Sequence, residues 1–249
     1  MYRSLDCEKT IETLELLSRR IAERFPRAGL ARVCEELVSI AKETRGRVSW
    51  TDRPNLTIRF CVLGVLCIAA YGCWLMFDHV KVGGTRFDVT EFVPMFESAT
   101  NAIFLMGAAI FFLLTLESRI KRQRILKALY ELRSVSHVID MHQLTKDPSR
   151  VVAASSQPTR SSPERTLTPF QLARYLDYCS EMLSLIGKLA SLYAQSNPDG
   201  VVLQAVNDIE TLTNGLSRKI WQKITMLENT PEKSLQSPAE PPPSPANAP

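Results

Sequence analysis

Residues 98–144 have the sequence SATNAIFLMGAAIFFLLTLESRIKRQRILKALYELRSVSHVIDMHQL. The first part, Ser98 to Leu116, carries no charge and is dominated by Phe, Leu, Ile and Met. About 20 mostly apolar residues cross the hydrocarbon core of a bilayer, so this part predicts a membrane span. Basic residues follow at once, and after Leu116 neither Gly nor Pro occurs before Pro148. The stretch therefore predicts one helix that leaves the membrane and continues into water.

A second uncharged run, Phe60 to Phe77, predicts another span, because its length lies within the usual range of about 17 to 25 residues. We predict transmembrane helices over residues 55–77 and 98–116. The outer flanks are rich in Lys and Arg, whereas the segment between the spans holds only Lys81 and Arg86. The positive-inside rule then places both termini in the cytoplasm and residues 78–97 outside. With short arms and no eukaryotic sorting motif, a bacterial inner membrane is the expected location.

The external loop, residues 78–97, predicts a small β-hairpin. Val80 and Val82 precede Gly83–Gly84, a dipeptide that suits a two-residue hairpin turn, and Phe87 and Val89 follow it. A helix is expected to begin near Val89 and to run through Pro94 into the second span, since Pro is tolerated close to the first turn.

The arms on either side of the spans predict helices. Residues 1–54 carry two apolar stripes at three- and four-residue steps, separated by Pro26, which is typical of a helical hairpin. Residues 117–144 continue the second span with a further apolar stripe. Residues 145–167 lack apolar periodicity and predict a disordered linker, and the Pro-rich tail, residues 229–249, is expected to be disordered as well.

Residues 168–228 predict a second helical hairpin with the cleanest pattern in the chain. Thr168, Pro169 and Gln171 form a capping box with Pro at the first helical position, and Asn197–Pro198 repeats the signal before the next helix. Apolar residues at alternating steps of four and three form a candidate interaction seam. Its residues are Leu172, Leu176, Cys179, Leu183, Ile186, Ala190 and Tyr193. Because two helices bury little core, this hairpin is expected either to pack on the extension of the second span or to pair with another copy.

Polar residues at the membrane boundary supply the candidate sites. Glu97 and Asn101 lie four residues apart at the outer end of the second span, where they would line a pore formed by several copies. At the inner end, a basic group is expected to contact anionic lipid, at about 1 kcal/mol per residue. That group is Arg119, Lys121, Arg122 and Arg124.

No catalytic or metal-binding constellation stands out. The six cysteines form no CxxC, and three of them lie in the first span six residues apart, on different faces. His137, Asp140 and His142 are the one cluster of ligand types, but His142 lies about 140° from His137 around a helix. Motifs such as HExxH, GxSxG and a phosphate-binding Gly loop do not occur. We therefore expect no cofactor, no metal and no nucleic-acid partner.

These patterns predict an all-α integral membrane protein. A two-span transmembrane hairpin is expected to carry a coiled-coil-like cytoplasmic bundle of helical hairpins. The predicted function is that of a non-catalytic membrane-anchored scaffold or adaptor, self-associating in the bilayer and presenting helical surfaces to a cytoplasmic or membrane protein. The alternative is a small channel or a subunit of a transport complex. An enzyme ranks third, because no site can be named.

Overall fold

The computed structural model describes residues 4–51, 56–82, 89–146 and 167–228, and within these residues the chain is all-helical, with six α-helices and no strand. The helices are α1 (Cys7–Arg24), α2 (Gly29–Thr51), α3 (Leu56–Val82), α4 (Val89–Leu144), α5 (Pro169–Ser196) and α6 (Gly200–Glu228). The all-α prediction is thus confirmed for this part of the chain. The predictions of disorder for the Pro-rich tail and for nearly all of the linker lie outside the described residues.

Two of the helices are long and apolar enough to cross a membrane. They are α3, over Leu56–Leu75, and α4, in its apolar part from Phe96 onward. The two pack against each other. Most of the large apolar side chains on these two helices are exposed; Ile68 and Phe104, for example, are each 74% exposed.

The first strand of the predicted β-hairpin between the spans is wrong, and of the second strand Val89 is helical while Phe87 lies outside the described residues. Val80 and Val82 belong to the last turn of α3, and α4 begins at Val89, as expected, and continues through Pro94. The predicted turn at Gly83–Gly84 lies outside the described residues. A two-stranded ribbon without a third strand is marginal, whereas extending a helix satisfies each new backbone group locally, so the helix continues.

The remaining helices form a bundle. The segment of α4 from Ile125 to Ile139 joins α1, α2, α5 and α6 around one core. Helix α5 lies at the centre, because it contacts all four of the others and thirteen of its 28 residues are buried. The predicted helical bundle is confirmed.

The helix ends follow the predicted capping chemistry in one case and depart from it in another. The Thr168 capping box is present, with the Gln171 N–H donating to Thr168 Oγ1 at 3.2 Å and the Thr168 N–H donating to Gln171 Oε1 at 3.0 Å. Asn197 does not cap α6; its N–H closes the end of α5 on the Tyr193 carbonyl. Asp199 caps α6 instead, because its carboxylate accepts the Val201 N–H at 2.9 Å.

The bundle has a near end, next to the apolar part of α4, and a far end, where α4 stops. At the near end, Arg122 of α4 pairs with Asp199 in the α5–α6 turn at 3.4 Å. At the far end, the Lys223 ammonium of α6 donates to Gln143 Oε1 at 2.6 Å. The α1–α2 turn and the start of α5 also lie at the far end. Three chain segments that are distant in sequence therefore meet there.

Candidate functional site

A cleft of about 550 Å³ opens at the far end of the bundle. It lies where the α1–α2 turn, the last turn of α4 and the first turn of α5 come together. Its lining residues are Arg24, Phe25, Pro26, Arg27, Ala28, Gly29, His142, Thr145, Lys146, Leu167, Gln171 and Tyr175. We refer to these residues as the basic cleft.

The charge of the basic cleft is one-sided. Arg24, Arg27 and Lys146 contribute three cations, His142 adds an imidazole ring, and no carboxylate occurs among the twelve lining residues. The first turn of α2 also contains no acidic residue, so its N–H groups add partial positive charge to the same place. Among the described residues that line the cleft, an anion would therefore meet several favourable groups and no carboxylate.

Aromatic rings lie beside two of these cations, Arg24 and Lys146. Lys146 Nζ lies 5.6 Å from the centre of the Tyr175 ring, and the Arg24 guanidinium lies 5.9 Å from that of Phe170. Tyr175 in turn packs edge-on against Phe25 at 5.5 Å. Burial raises the pKa of the Tyr175 hydroxyl above its usual value, so the phenol stays neutral and adds no negative charge to the cleft.

His142 closes one wall of the cleft by lying against the first residue of α2. A Cβ atom added to Gly29 would sit 2.6 Å from Cε1 of the His142 ring. Glycine at this position therefore lets the ring approach the backbone where the α2 N–H groups emerge.

A smaller groove of about 300 Å³ adjoins the basic cleft and shares Arg24 with it. In this groove the cations are neutralised: Arg20 pairs with Glu181 at 2.8 Å and Arg174 with Asp177 at 2.9 Å. Net positive charge is therefore concentrated in the basic cleft.

The predicted interaction seam of α5 lies inside the bundle. Six of its residues, including Leu183, Ile186 and Tyr193, are fully buried and Leu172 is 4% exposed. Their neighbours are helices of the same chain. Of the two arrangements expected for the C-terminal hairpin, the single chain thus has the one in which it packs on the extension of α4.

The candidate pore residues are exposed in the single chain. Glu97 and Asn101 lie one turn apart near the start of the apolar part of α4. Pore lining requires several copies, so this function for them stays a prediction.

The basic residues predicted to contact lipid differ in their surroundings. Lys121 pairs with Glu117 at 3.2 Å and Arg122 with Asp199 at 3.4 Å, whereas the side chains of Arg119 and Arg124 are exposed. Contact of these four residues with anionic lipid stays a prediction. Arg119 and Arg124 are more exposed than Lys121 and Arg122 and would therefore reach lipid more easily.

The described residues contain no group of three His, Cys, Asp or Glu that could hold a metal ion. Asp140 accepts a hydrogen bond from Gln143 at 2.6 Å, and His142 packs on Gly29, so these two serve other contacts. Burial raises the pKa of Cys34 to about 11 and that of Cys179 to about 12. Both thiols are therefore protonated at neutral pH and act as small apolar side chains.

Because both thiols are protonated in the folded chain, we expect the free energy of unfolding to fall at alkaline pH. In the unfolded chain they ionise near 9.0, whereas in the fold they keep their protons to higher pH. Above pH 9 the unfolded state therefore binds fewer protons, and each thiol is expected to cost roughly 2 kcal/mol of stability by pH 11. Urea unfolding of the full chain between pH 8 and 11 measures this loss. The Cys34→Ala/Cys179→Ala variant should lose less, and parallel curves for the two proteins would contradict the assignment.

Sequence reasoning missed the basic cleft. Arg24 and Arg27 lie beside the end of α1, and Lys146 lies beside the end of α4, more than 110 residues further along the chain. The available signal was the presence of basic residues close to Pro26 and Pro148 in the sequence, but such residues are common at helix ends. Only the packing of the hairpins on α4 brings these cations together.

Comparison of the chain with known protein families, characterised proteins and solved structures gives no match. A functional proposal therefore has to come from the geometry and charge of the chain itself.

Proposed function

We propose that this protein is a non-catalytic adaptor, anchored in a bacterial inner membrane by α3 and α4, whose cytoplasmic bundle binds an acidic segment of a partner protein in the basic cleft. The observation that carries the proposal is the cleft itself, whose described lining residues include three cations and no carboxylate.

Membrane anchoring is supported by the exposed apolar surface of α3 and α4. Large contiguous apolar surfaces are rare on soluble monomers and mark contacts with membranes or proteins. The apolar stretches have the length that a bilayer requires. Lys and Arg are enriched on their outer flanks, which favours cytoplasmic termini.

The position of the cleft favours a partner in solution over the lipid surface. From Leu116, the end of the predicted span, to His142 the helix rises about 39 Å at ~1.5 Å per residue. Electrostatic screening acts over about 8 Å at physiological ionic strength. The cations at the far end are thus well beyond the range of headgroup charge on their own membrane, and are free to attract an anionic segment of another protein.

The shape and lining of the cleft favour a peptide. Arg24 connects the cleft to the neighbouring groove, so an extended chain can contact both. The aromatic residues beside the cations, Phe170 and Tyr175, suit apolar side chains interspersed among acidic ones. Arginine binds carboxylates in two-pronged pairs, which gives direction as well as attraction.

Charge reversal tests this function. The probe is a fluorescent peptide of twelve glutamates and two tryptophans, titrated at 150 mM salt against the full chain in nanodiscs. Arg27→Glu/Lys146→Glu should weaken binding about 100-fold, because two charge-assisted contacts of ~1.5 kcal/mol each are lost.

The matched control is Arg218→Glu/Lys219→Glu, which changes the net charge equally at exposed positions of α6. This control should weaken binding less than threefold. Equal losses in the two variants would show that only net charge attracts the probe, and the assignment of the cleft would then be wrong.

A further inference from the structure

The turn between α5 and α6 lies where the bundle meets the apolar part of α4. Arg122 of α4 pairs with Asp199 in this turn at 3.4 Å. Arg122 follows Leu116, the last residue of the predicted span, by six positions, so its Cα lies about 9 Å further along the helix. Side chains on a helix lean toward its N-terminus, which brings the Arg122 guanidinium, and with it the turn, still nearer to the span.

This position corresponds to the headgroup layer of a bilayer. The hydrocarbon core is about 30 Å thick and the headgroups bring the total to about 40–45 Å, so each headgroup layer occupies roughly 5–8 Å beside the core. Helix α4 is continuous from Val89 to Leu144, and this continuity fixes the distance between the span and the turn. With α4 across the membrane, the α5–α6 turn therefore lies within the headgroup layer or at its outer boundary.

The chain around this turn exposes apolar and uncharged polar groups. From residue 189 to residue 207, Asp199 is the only charged residue. Exposed residues of this range, which we call the turn surface, are Gln195, Pro198, Gly200, Val201, Leu203, Gln204 and Asn207. At the far end of α6, by contrast, the charged residues Arg218, Lys219 and Glu228 are exposed. The turn surface can therefore enter a headgroup layer without taking a charge out of water.

Val201 and Leu203 are the large apolar residues of the turn surface. They are 50% and 42% exposed, and both belong to the first turn of α6. Because α6 begins at the near end, the lean of helical side chains toward the N-terminus directs both of them back toward the membrane. Apolar side chains on interfacial helices are buried about 5–10 Å into the boundary between headgroups and acyl chains, a depth that suits these two residues.

The acidic groups closest to the turn surface are engaged within the chain. Asp199 accepts the N–H groups of Val201 at 2.9 Å and of Val202 at 3.3 Å, in addition to its pair with Arg122. The start of α1 lies beside the turn, because the Leu5 N–H donates to Gln195 Oε1 at 3.2 Å.

The two acidic residues at the start of α1 are engaged as well. Asp6 accepts the Glu8 N–H at 2.9 Å, and the Glu8 carboxylate pairs with Arg45 at 3.2 Å. On α4, Arg119 precedes Arg122 by three positions, so it lies on the same side of the helix and nearer to the membrane, and it is exposed. An anionic headgroup beside the turn would thus meet an arginine, whereas the acids are balanced by other groups.

We propose that the turn surface binds the lipid surface from which α4 emerges, with Val201 and Leu203 at the boundary between headgroups and acyl chains and Arg119 on anionic headgroups. The proposal rests on the membrane insertion proposed above. Contact beside α4 gives the bundle a second attachment to the bilayer. This attachment restricts tilting of the bundle about α4 and keeps the basic cleft directed away from the membrane.

Fluorescence quenching by lipid tests the contact. Val201→Cys and Leu203→Cys are made singly in the full chain, in a background where Cys7, Cys61, Cys67 and Cys73 are alanine, and are labelled with the fluorophore NBD. The proteins are reconstituted into vesicles of phosphatidylcholine and phosphatidylglycerol, in which a fraction of the headgroups carries a nitroxide quencher. Thr225→Cys, at an exposed position near the far end of α6, is the control.

Both labels on the turn surface should lose about half of their fluorescence or more. The control label should lose less than about a tenth, because the 24 positions from residue 201 to residue 225 correspond to about 36 Å along α6. Quenching of the labels at 201 and 203 no stronger than that of the control would overturn the proposal.

A charge variant distinguishes binding from proximity. In the protein labelled at position 201, Leu203→Glu should lower the quenching about twofold, because anionic headgroups repel a carboxylate and its burial at the acyl boundary is unfavourable. Thr225→Glu adds the same charge at the far end of α6 and should leave the quenching unchanged. Equal quenching in the two variants would show that the turn lies near lipid without binding it, which contradicts the proposal.

Two further measurements separate this proposal from the proposed function. Alkaline extraction reports membrane insertion, and binding of the acidic peptide reports the basic cleft. A chain that stays inserted and binds the peptide, but whose labels at 201 and 203 are quenched no more than the control, refutes the contact of the turn surface alone. A chain that alkali extracts refutes the insertion and, with it, this contact.

Discussion

Leu183→Glu is expected to unfold the bundle. Leu183 lies on the central helix α5 and is fully buried. The substitution removes about 2 kcal/mol of apolar burial and places a carboxyl group at a fully buried position, which is unfavourable for a polar or charged group. A combined loss of about 4–5 kcal/mol or more is a large part of the ~5–15 kcal/mol that stabilises a typical domain. Urea unfolding of the full chain, followed by far-UV circular dichroism, should show the early loss of helix.

The adjacent Ser184→Glu is the matched control. Ser184 is exposed, and a glutamate there precedes Lys188 by one turn, an arrangement worth about 0.3–0.5 kcal/mol in favour of the helix. Its unfolding midpoint should stay within error of the wild type or rise slightly. A stable, cooperatively folded Leu183→Glu protein would contradict the buried placement of the α5 seam.

Because Leu183 is buried in the core of the single chain, the Leu183→Glu variant cannot serve as a test of self-association. As an exposed seam residue, Leu183 would report self-association when replaced by glutamate. As a core residue it reports folding, because the fold fails before any contact between copies is tested.

Tyr193→Ala is expected to have the second large effect, about 3–5 kcal/mol. Tyr193 is fully buried, and its hydroxyl donates to Thr44 Oγ1 at 3.1 Å, which itself donates to the Ile40 carbonyl at 2.8 Å. This contact joins the C-terminal hairpin to α2 across 149 residues of sequence. Truncation removes the ring as well as the hydrogen bond, so both hairpins are expected to loosen together.

Tyr193→Phe separates the two contributions. It keeps the ring and removes only the hydroxyl, so the expected loss is about 1 kcal/mol, since Thr44 retains its bond to Ile40. Calorimetric unfolding of the three proteins measures both steps. If Tyr193→Phe lost as much stability as Tyr193→Ala, the hydrogen bond and not the packing would dominate, contrary to this account.

The α5 seam shows what periodicity can predict. Steps of three and four residues from Leu172 to Tyr193 correctly indicate a helix with a side that must be buried. They do not say whether the covering surface belongs to the same chain or to another, because any apolar helix side fits the same pattern. The burial of that seam within one chain depends on α1, α2 and α4 arriving from elsewhere in the sequence.

The segment between the spans shows where a local pattern is misleading. Val80 and Val82 alternate with polar residues over a stretch too short to distinguish strand from helix. A strand here would need a neighbouring strand for backbone hydrogen bonding, and the described residues contain no strand. The helix therefore continues to Val82.

The sequence by itself determined that the chain is helical and that two helices are apolar enough for a membrane, because helix periodicity, capping residues and long uncharged runs are local properties. Only the tertiary structure decided which helix sides are covered, that Arg24, Arg27 and Lys146 share one cleft, and that the outer side of α4 is left exposed. These features depend on contacts between residues that are far apart along the chain. The composition of each helix constrains such contacts, but it does not specify which helices meet.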